Sequence, residues 1–505
     1  MKKTPLYGAL TSALFCLTVQ AEPVWISVES QVLQALPEVA VLQRQPVLLG
    51  EAVLQSGYQQ PVLVQVDSAD LAVLSEYIHA EQHRCGGYIA YDSLEQALQA
   101  LTQPLLAASF TAPPLTQGTL VNSQLPQLNH ANIAQFISDL SQFTNRYYTT
   151  NAGVQAADWI ATQWQNLSNN HSWIKVSRIS HSGYPQRSVL LEMIGSEKPN
   201  DIVVLGGHLD SINSGGTSET TRAPGADDDA SGIATLSEII RVISSAGLRP
   251  KRTIRFYGYA AEEVGLRGSR DIATAAASTA QNIIAAMQLD MTNFKGSAED
   301  IVLMTDYTNA NLNGYLQKLL STYQPALRHS TDVCGYGCSD HASWHNAGFA
   351  ASMPFEARFA GSNKKIHTSN DTLANSDPTA LHALKFARLG LSFVLELGNA
   401  VGGTPGGTSG SFPNLAATTG NWVYKTLVLP AGQSQLNINM SGGTGDADLY
   451  LRLGSNPTTS SYQCRPYKTG NNENCVITNP SAGSWVVGVR AYSSFSGVNV
   501  NWQSN

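Results

Sequence analysis

The stretch Ile202-Val203-Val204-Leu205-Gly206-Gly207-His208-Leu209-Asp210 decides the fold. Ile202 to Leu205 form a short, uninterrupted apolar run, the pattern of a strand buried on both faces. His208 and Asp210 then fall just past its end. The same arrangement recurs twice. Ile254 to Tyr257 runs into Ala260-Ala261-Glu262-Glu263-Val264-Gly265, and Ile283 to Leu289 runs into Asp290-Met291. Between the first two strands, Ile233, Leu236, Ile239, Ile240 and Ile243 recur at helical spacing. Helical patterns also cover residues 151–167 and 379–397. Strands alternating with helices predict an α/β fold, a mainly parallel sheet flanked by helices. In such folds the ligand site lies off the carboxyl ends of the strands.

The wider composition limits what surrounds this core. The chain has 505 residues, which at about 150 per domain suggests about three units. Charged residues make up 13%, about half the usual share of about 25%, while hydrophobic residues reach 43%, which excludes a disordered polyelectrolyte. The net charge is −7 and Lys and Arg form no run, so a nucleic-acid footprint is excluded.

Both ends differ from the middle. Residues 1–21 read as a signal peptide: Lys2 and Lys3, an apolar stretch from Leu6 to Val19, and the small-x-small pattern Val19-Gln20-Ala21. The stretch is too short and too broken by Ser and Thr to span a membrane. Phe15 stands where a lipoprotein anchor at Cys16 needs a small residue. The expectation is a secreted protein without a membrane anchor, in a disulfide-permissive compartment. Residues 401–412, VGGTPGGTSGSF, read as a Gly-rich linker. After it come short alternating runs: Trp422 to Leu429, Gln435 to Met440, Asp448 to Leu453, Ser484 to Val489 and Val498 to Trp502. They predict an all-β sandwich module over 413–505. Asp446 and Asp448 in it could bind Ca²⁺, or could be turn residues ahead of a strand.

The chemistry lies at the strand ends. His208, Asp210, Glu262, Glu263 and Asp290 follow strands, Asp227-Asp228-Asp229 opens a helix, and His367 lies downstream in Ile366-His367-Thr368. A lone His-x-Asp is ordinary loop chemistry. The convergence of two His and several carboxylates makes a nitrogen and oxygen donor set that suits zinc, and two ions sharing one carboxylate would make a co-catalytic pair. Asp210 could orient His208 through its other ring nitrogen. Asp227 and Asp229 read as acceptors for backbone amides in a tight loop. His341 and His345 read as structural or supporting, and His181, His329 and His382 as surface or core residues.

These blocks resemble the secreted two-zinc bacterial leucyl aminopeptidases. The resemblance runs from about Ala112 to Gly402 and includes GGHLDS, APGADDDASG, AAEEVGLRGS, QLDMTN, CGYGCSDHASWHNAG and IHTSNDTLANSDP. It implies that Asp228 bridges two Zn²⁺ ions, that His208 and Asp290 complete one, and that Glu263 and His367 complete the other. Glu262 is then the general base for a metal-bridging water. The resemblance also implies an apolar pocket of Met291, Tyr336, Met353, Phe355, Phe359 and Ile366, with a Cys334–Cys338 disulfide as a wall. Ser362 stands where a close relative has an aromatic residue, which implies a wider pocket. The expected substrates are peptide or protein N-termini with leucine-like first residues, and the family precedent implies a monomer. Separately, Gly445-Asp446-Ala447-Asp448-Leu449-Tyr450 with Gly483-Ser484-Trp485 resembles the bacterial pre-peptidase C-terminal domain of secreted proteases.

The expected organisation is a signal peptide at 1–21, a propeptide at 22–111, a catalytic domain at 112–400, a linker at 401–412 and the β domain at 413–505. Six cysteines lose Cys16 with the signal and leave two local pairs, Cys334 with Cys338 and Cys464 with Cys475. A C-x-x-x-C metal site is the other reading of the first pair. Cys85, beside Arg84, remains; its thiolate could cap a zinc ion in the precursor, or be a free thiol in a discarded segment. The propeptide itself shows no site. Carboxypeptidases and small-amide deacylases share this metal chemistry, and a carboxypeptidase needs a cation facing the substrate carboxylate; Arg267 and Arg358 are the candidates. The presence of all five ligands and the base speaks against a binding protein that has lost catalysis.

Overall fold

The computed structural model describes residues 22–36, 39–45, 61–82, 86–102, 108, 110–399, 409–429, 433 and 435–504. The signal segment, Cys85 and residues 401–408 of the linker lie outside them.

The central sheet has six strands, in spatial order Ala351–Ser352, Asn282–Gln288, Lys198–His208, Arg252–Tyr259, Ser188–Met193 and Ile174–Ile179. The first four are parallel. The last two are antiparallel to their neighbours, so the sheet is mixed rather than parallel to its edge. A hairpin, Ile174–Ile179 with Ser188–Met193, makes that edge; its outer strand is partly exposed, as antiparallel edges allow. The middle strand is buried from Asp201 to His208, which its apolar run requires.

Helices cover the sheet. Ala230–Ser245 is buried nearly all round, packed between the sheet and the helices His130–Leu140 and Leu381–Asn399. Asp229 caps its start by accepting from the Gly232 amide at 2.8 Å. Gly232 allows this helix to approach the sheet: a Cβ there would lie 2.2 Å from the Leu289 carbonyl.

Strand register sets the site. His208 lies opposite Tyr259, and Gly206 opposite Gln288. His208, the loop after Tyr259 and Asp290 therefore leave the sheet together at the carboxyl ends of its central strands. Ala261, Met291 and His367 there have φ of 55°, 56° and 54°. Non-glycine residues in this left-handed region cost about 1–3 kcal/mol each and cluster where surrounding structure holds a functional geometry.

Among the described residues of 22–102, a four-stranded antiparallel sheet is ordered Gln43–Gln45, Pro61–Asp67, Pro23–Glu29 and Tyr88–Tyr91, with helix Leu71–Gln82 packed beside it. The module docks on the catalytic part. The Ala90 amide donates to the Gly265 carbonyl at 3.1 Å, and Arg270 pairs with Asp92 at 2.9 Å.

The C-terminal module is antiparallel throughout. The two runs expected as separate strands, Ser484 to Val489 and Val498 to Trp502, are one long strand, Gly483–Ser504. Its first half pairs with Trp422–Leu429 and Thr444–Leu453, its second with Ser409–Ala417 and Gln435–Ser441. Register shifts near Asp446 and Leu415 let it serve both sheets. Residues 409–412, assigned above to the linker, begin a strand, with Phe412 opposite Val500. Cys464 and Cys475 are disulfide-bonded.

Candidate active site

Asp228 lies between the two imidazoles. Its Oδ1 is 2.8 Å from His208 Nε2, and its Oδ2 is 3.1 Å from His367 Nε2. Asp290 Oδ1 lies 3.6 Å from the same His208 Nε2. Glu263 Oε2 lies 2.8 Å from the same His367 Nε2. The five residues expected as ligands thus meet in one cluster, each at most 5% exposed. Two groups in it have donor atoms close enough to hold a metal ion: His208, Asp228 and Glu263, and His208, Asp229 and Asp290.

Asp229 is already committed. Its Oδ1 accepts from the Gly232 and Met291 amides and its Oδ2 from the His208 amide. Asp227 accepts from the Asn293 amide and the Asn363 side chain. Glu263 Oε1 and Asp290 Oδ1, by contrast, are buried and accept no hydrogen bond among the described residues. Buried carboxylate oxygens without donors are costly unless a cation sits beside them.

The electrostatics agree. Burial pushes Glu262 well above the usual carboxylate range, with Asp340, Glu263 and Asp290 adding to it. Burial likewise lifts Glu263 and Asp340, each to about 7. Burial opposes charge on His208, yet the surrounding carboxylates, led by Asp290, hold its pKa well above the ordinary value. So many buried like charges cannot all ionise without added positive charge, and divalent cations supply it.

Side chains remote in sequence hold the loops. Asp210 accepts from the Glu262 and Glu263 amides, both at 3.1 Å, and its Oδ1 lies 3.4 Å from His208 Nδ1. Asp371 accepts from the Asp227 and Asp228 amides at 3.0 and 3.1 Å. Buried Arg146 donates to the Leu209 and Gly225 carbonyls at 2.8 Å, tying the strand end to the aspartate loop. Asp371 stands inside IHTSNDTLANSDP and Asp340 inside CGYGCSDHASWHNAG, where acidic character was the one available signal; Arg146 carried none.

A cavity opens beside the cluster. Met291, Met353, Phe355, Phe359 and Ile366 line it, with Cys338, Asp290, Ser362, Asn363 and Lys364. Cys334 and Cys338 are disulfide-bonded. Tyr336 stands behind the lining, edge-on to Phe359 with ring centroids 6.1 Å apart. The lining includes His79, from the segment in which no site was expected; its ring centroid is 4.3 Å from that of His367. Nothing in the local sequence of His79 marks it, because its neighbours are reached only through docking of the N-terminal module.

Other candidates lie elsewhere. His341 and His382 bond the Asp306 and Glu356 carbonyls, and burial lowers them to about 3 and about 4. Arg267 lies over the rings of Tyr148 and Tyr184, and Arg358 pairs with Glu299. Asp446 accepts from the Gly470 amide, and Asp448 faces Arg465 and Arg490 at 3.8 and 4.0 Å, so protein cations occupy its surroundings.

Comparison with known proteins bears on this geometry. Residues 188–391 match peptidase family M28, and residues 424–491 match the bacterial pre-peptidase C-terminal domain. A probable leucine aminopeptidase of Arthroderma otae is 30% identical over 368 residues, 72% of this chain and 97% of that protein. The chain belongs to peptidase family M28. It is a metallo-aminopeptidase, a hydrolase of the M28 α/β fold. Solved structures of the LapA aminopeptidase and of LapB, both of Legionella pneumophila, align with TM-scores of 0.64 and 0.63 at 26% and 27% identity. They cover 76% and 75% of this chain and all of theirs.

Proposed function

We propose that the chain is the secreted precursor of a two-zinc aminopeptidase that removes leucine-like N-terminal residues from peptides. The observation that carries this reading is Asp228, with one carboxylate oxygen toward each of two buried histidines. In it, His208, Asp290 and Asp228 would hold one Zn²⁺, and Glu263, His367 and Asp228 would hold the other. The chemistry such ions would supply is a more acidic water and a polarised scissile carbonyl. Glu262 accepts the proton from that water at its carboxylate and returns it to the leaving amine. Asp210 keeps Glu262 and Glu263 in place through their amides. The apolar cavity takes the first side chain, and burying a leucine there is worth about 1.5–3 kcal/mol. Ser362 on the lining leaves room for larger residues.

Secretion is supported by the two disulfides and the signal-like start at 1–21. No helix among the described residues is long and apolar enough to cross a membrane. The neighbourhoods of Arg267 and Arg358 favour an aminopeptidase over a carboxypeptidase; Lys364, exposed on the cavity lining, is the cation the second reading would use. Leucine-p-nitroanilide and its N-acetyl form separate them. Cleavage of the free amine alone is expected; equal cleavage of both would overturn the reading, and so would cleavage of neither, the result for a carboxypeptidase, because both substrates lack a free carboxylate.

Residues 22–111 act as a propeptide in this account, ahead of a catalytic domain at 112–400 and the β domain after the linker. Support comes from helix Leu71–Gln82, which lies against the site: Ser75 Oγ donates to the Glu263 carbonyl at 2.8 Å and His79 lines the cavity. Substrate then competes with the chain's own residue. His79→Ala in the uncleaved chain is expected to raise hydrolysis of leucine-p-nitroanilide about tenfold, by releasing the competent state. Unchanged activity before and after removal of the segment would contradict latency.

A further inference from the structure

The loop that presents Glu262 is strained at Ala261 and tied down at four successive amides. Asp210 takes those of Glu262 and Glu263, Gln186 Oε1 takes that of Ala261 at 3.3 Å, and Ser188 Oγ takes that of Ala260 at 3.0 Å. Ser188 does not act alone. His181 Nε2 lies 2.7 Å from Ser188 Oγ, and His181 Nδ1 lies 2.9 Å from Asp271 Oδ2. Asp271 in turn pairs with Arg270 at 2.9 Å, and Arg270 with Asp92 of the N-terminal module.

The order Asp-His-Ser has the connectivity of a nucleophilic triad, but the surroundings exclude that use. Ser188 is fully buried within a strand, the His181 side chain is 1% exposed, and the Ser188 oxygen already accepts an amide. A serine nucleophile needs a substrate carbonyl within reach, and none can enter here. The same three groups do fix hydrogen-bond direction. The Asp271 carboxylate requires a proton on His181 Nδ1. In the neutral imidazole Nε2 is then an acceptor for the Ser188 hydroxyl proton, and the Ser188 lone pairs point to the Ala260 amide. The His181 ring is held in turn by stacking on Tyr184, with centroids 5.3 Å apart and planes 14° apart.

We propose that Asp271, His181 and Ser188 form a positioning relay that fixes the backbone of the Glu262 loop. The proposal rests on Glu262 being the general base. Backbone at Ala261 has positive φ and relaxes when an outside hydrogen bond is lost. A shift of about 1 Å in a reacting group can cost about 10²-fold in rate, so a partial shift costs less but falls on the chemical step. Substrate binding, set by the apolar cavity and the metals, is untouched by it.

The test is steady-state kinetics with metal analysis on the enzyme activated by removal of the propeptide. Ser188→Ala is expected to lower kcat about tenfold with KM within about twofold and unchanged zinc content, and Ser188→Thr, which keeps the hydroxyl, to restore most of kcat. In a Glu262→Gln background, Ser188→Ala should add nothing further, because both act on one group. Should Ser188→Ala fail to fold, Asp271→Asn, nearer the surface, takes its place with the same expected split. An unchanged kcat, a matching rise in KM, loss of zinc, or an additive double variant would overturn the relay. Substantial activity in Glu262→Gln alone would instead overturn the general-base assignment.

Discussion

Glu262→Gln is expected to keep both zinc ions and lose about 10³-fold in kcat, within the 10²–10⁴ range of general acid–base catalysis. The amide keeps the shape of the side chain but accepts no proton. The metal-facing and amide-bound carboxylates of the cluster are otherwise engaged. Asp210 and Asp229 are saturated by backbone amides, and Glu263, Asp228 and Asp290 face the histidines. Asp340 is buried and accepts from Gln288 at 2.9 Å. KM should change little, because the cavity and the metals bind substrate before the proton moves. Turnover above about a tenth of wild type at full metal content would reject the assignment.

Asp228→Ala should be more severe and fail differently. Each ion in the proposed arrangement has one imidazole, one terminal carboxylate and one oxygen of Asp228. Removal leaves two protein ligands per ion, below the three that catalytic zinc sites keep. The variant is expected to bind less than one ion per chain and to show no measurable hydrolysis. The stability difference follows by linkage. An ion present at 1,000 times its dissociation constant stabilises the native state by about 4.1 kcal/mol. Chelation should therefore lower the Tm of the wild-type enzyme by several degrees and leave that of the variant unmoved. A variant that retains two ions would show that Asp228 does not join them.

The core and the cluster were legible in the sequence for one physical reason. Strands buried on both faces are written as apolar runs, and polar residues at their ends, His208, Glu262, Glu263 and Asp290, stand out against them. The capped helix after Asp229 was legible for the same reason, since its isoleucines recur at its period. The antiparallel edge was not, because Ile174–Ile179 is partly exposed and its pairing depends on a fold already formed. The single strand Gly483–Ser504 was read as two, since Ser and Gly at 493–497 interrupt the alternation while the backbone continues. Least legible were the residues that hold the site in place. Arg146, Gln186, Ser188 and Asp371 bond backbone groups, and backbone partners leave no mark on residue identity. His79 was hidden differently, because it reaches the cavity from a separate module.

The central claim is that two metal ions share the Asp228 carboxylate. Anomalous diffraction at the zinc edge from crystals of the zinc-loaded enzyme tests it most directly. The account predicts two peaks, one bounded by His208, Asp290 and Asp228 Oδ1, the other by His367, Glu263 and Asp228 Oδ2. A single peak, or two peaks of which one lies beyond bonding reach of Asp228, would contradict it.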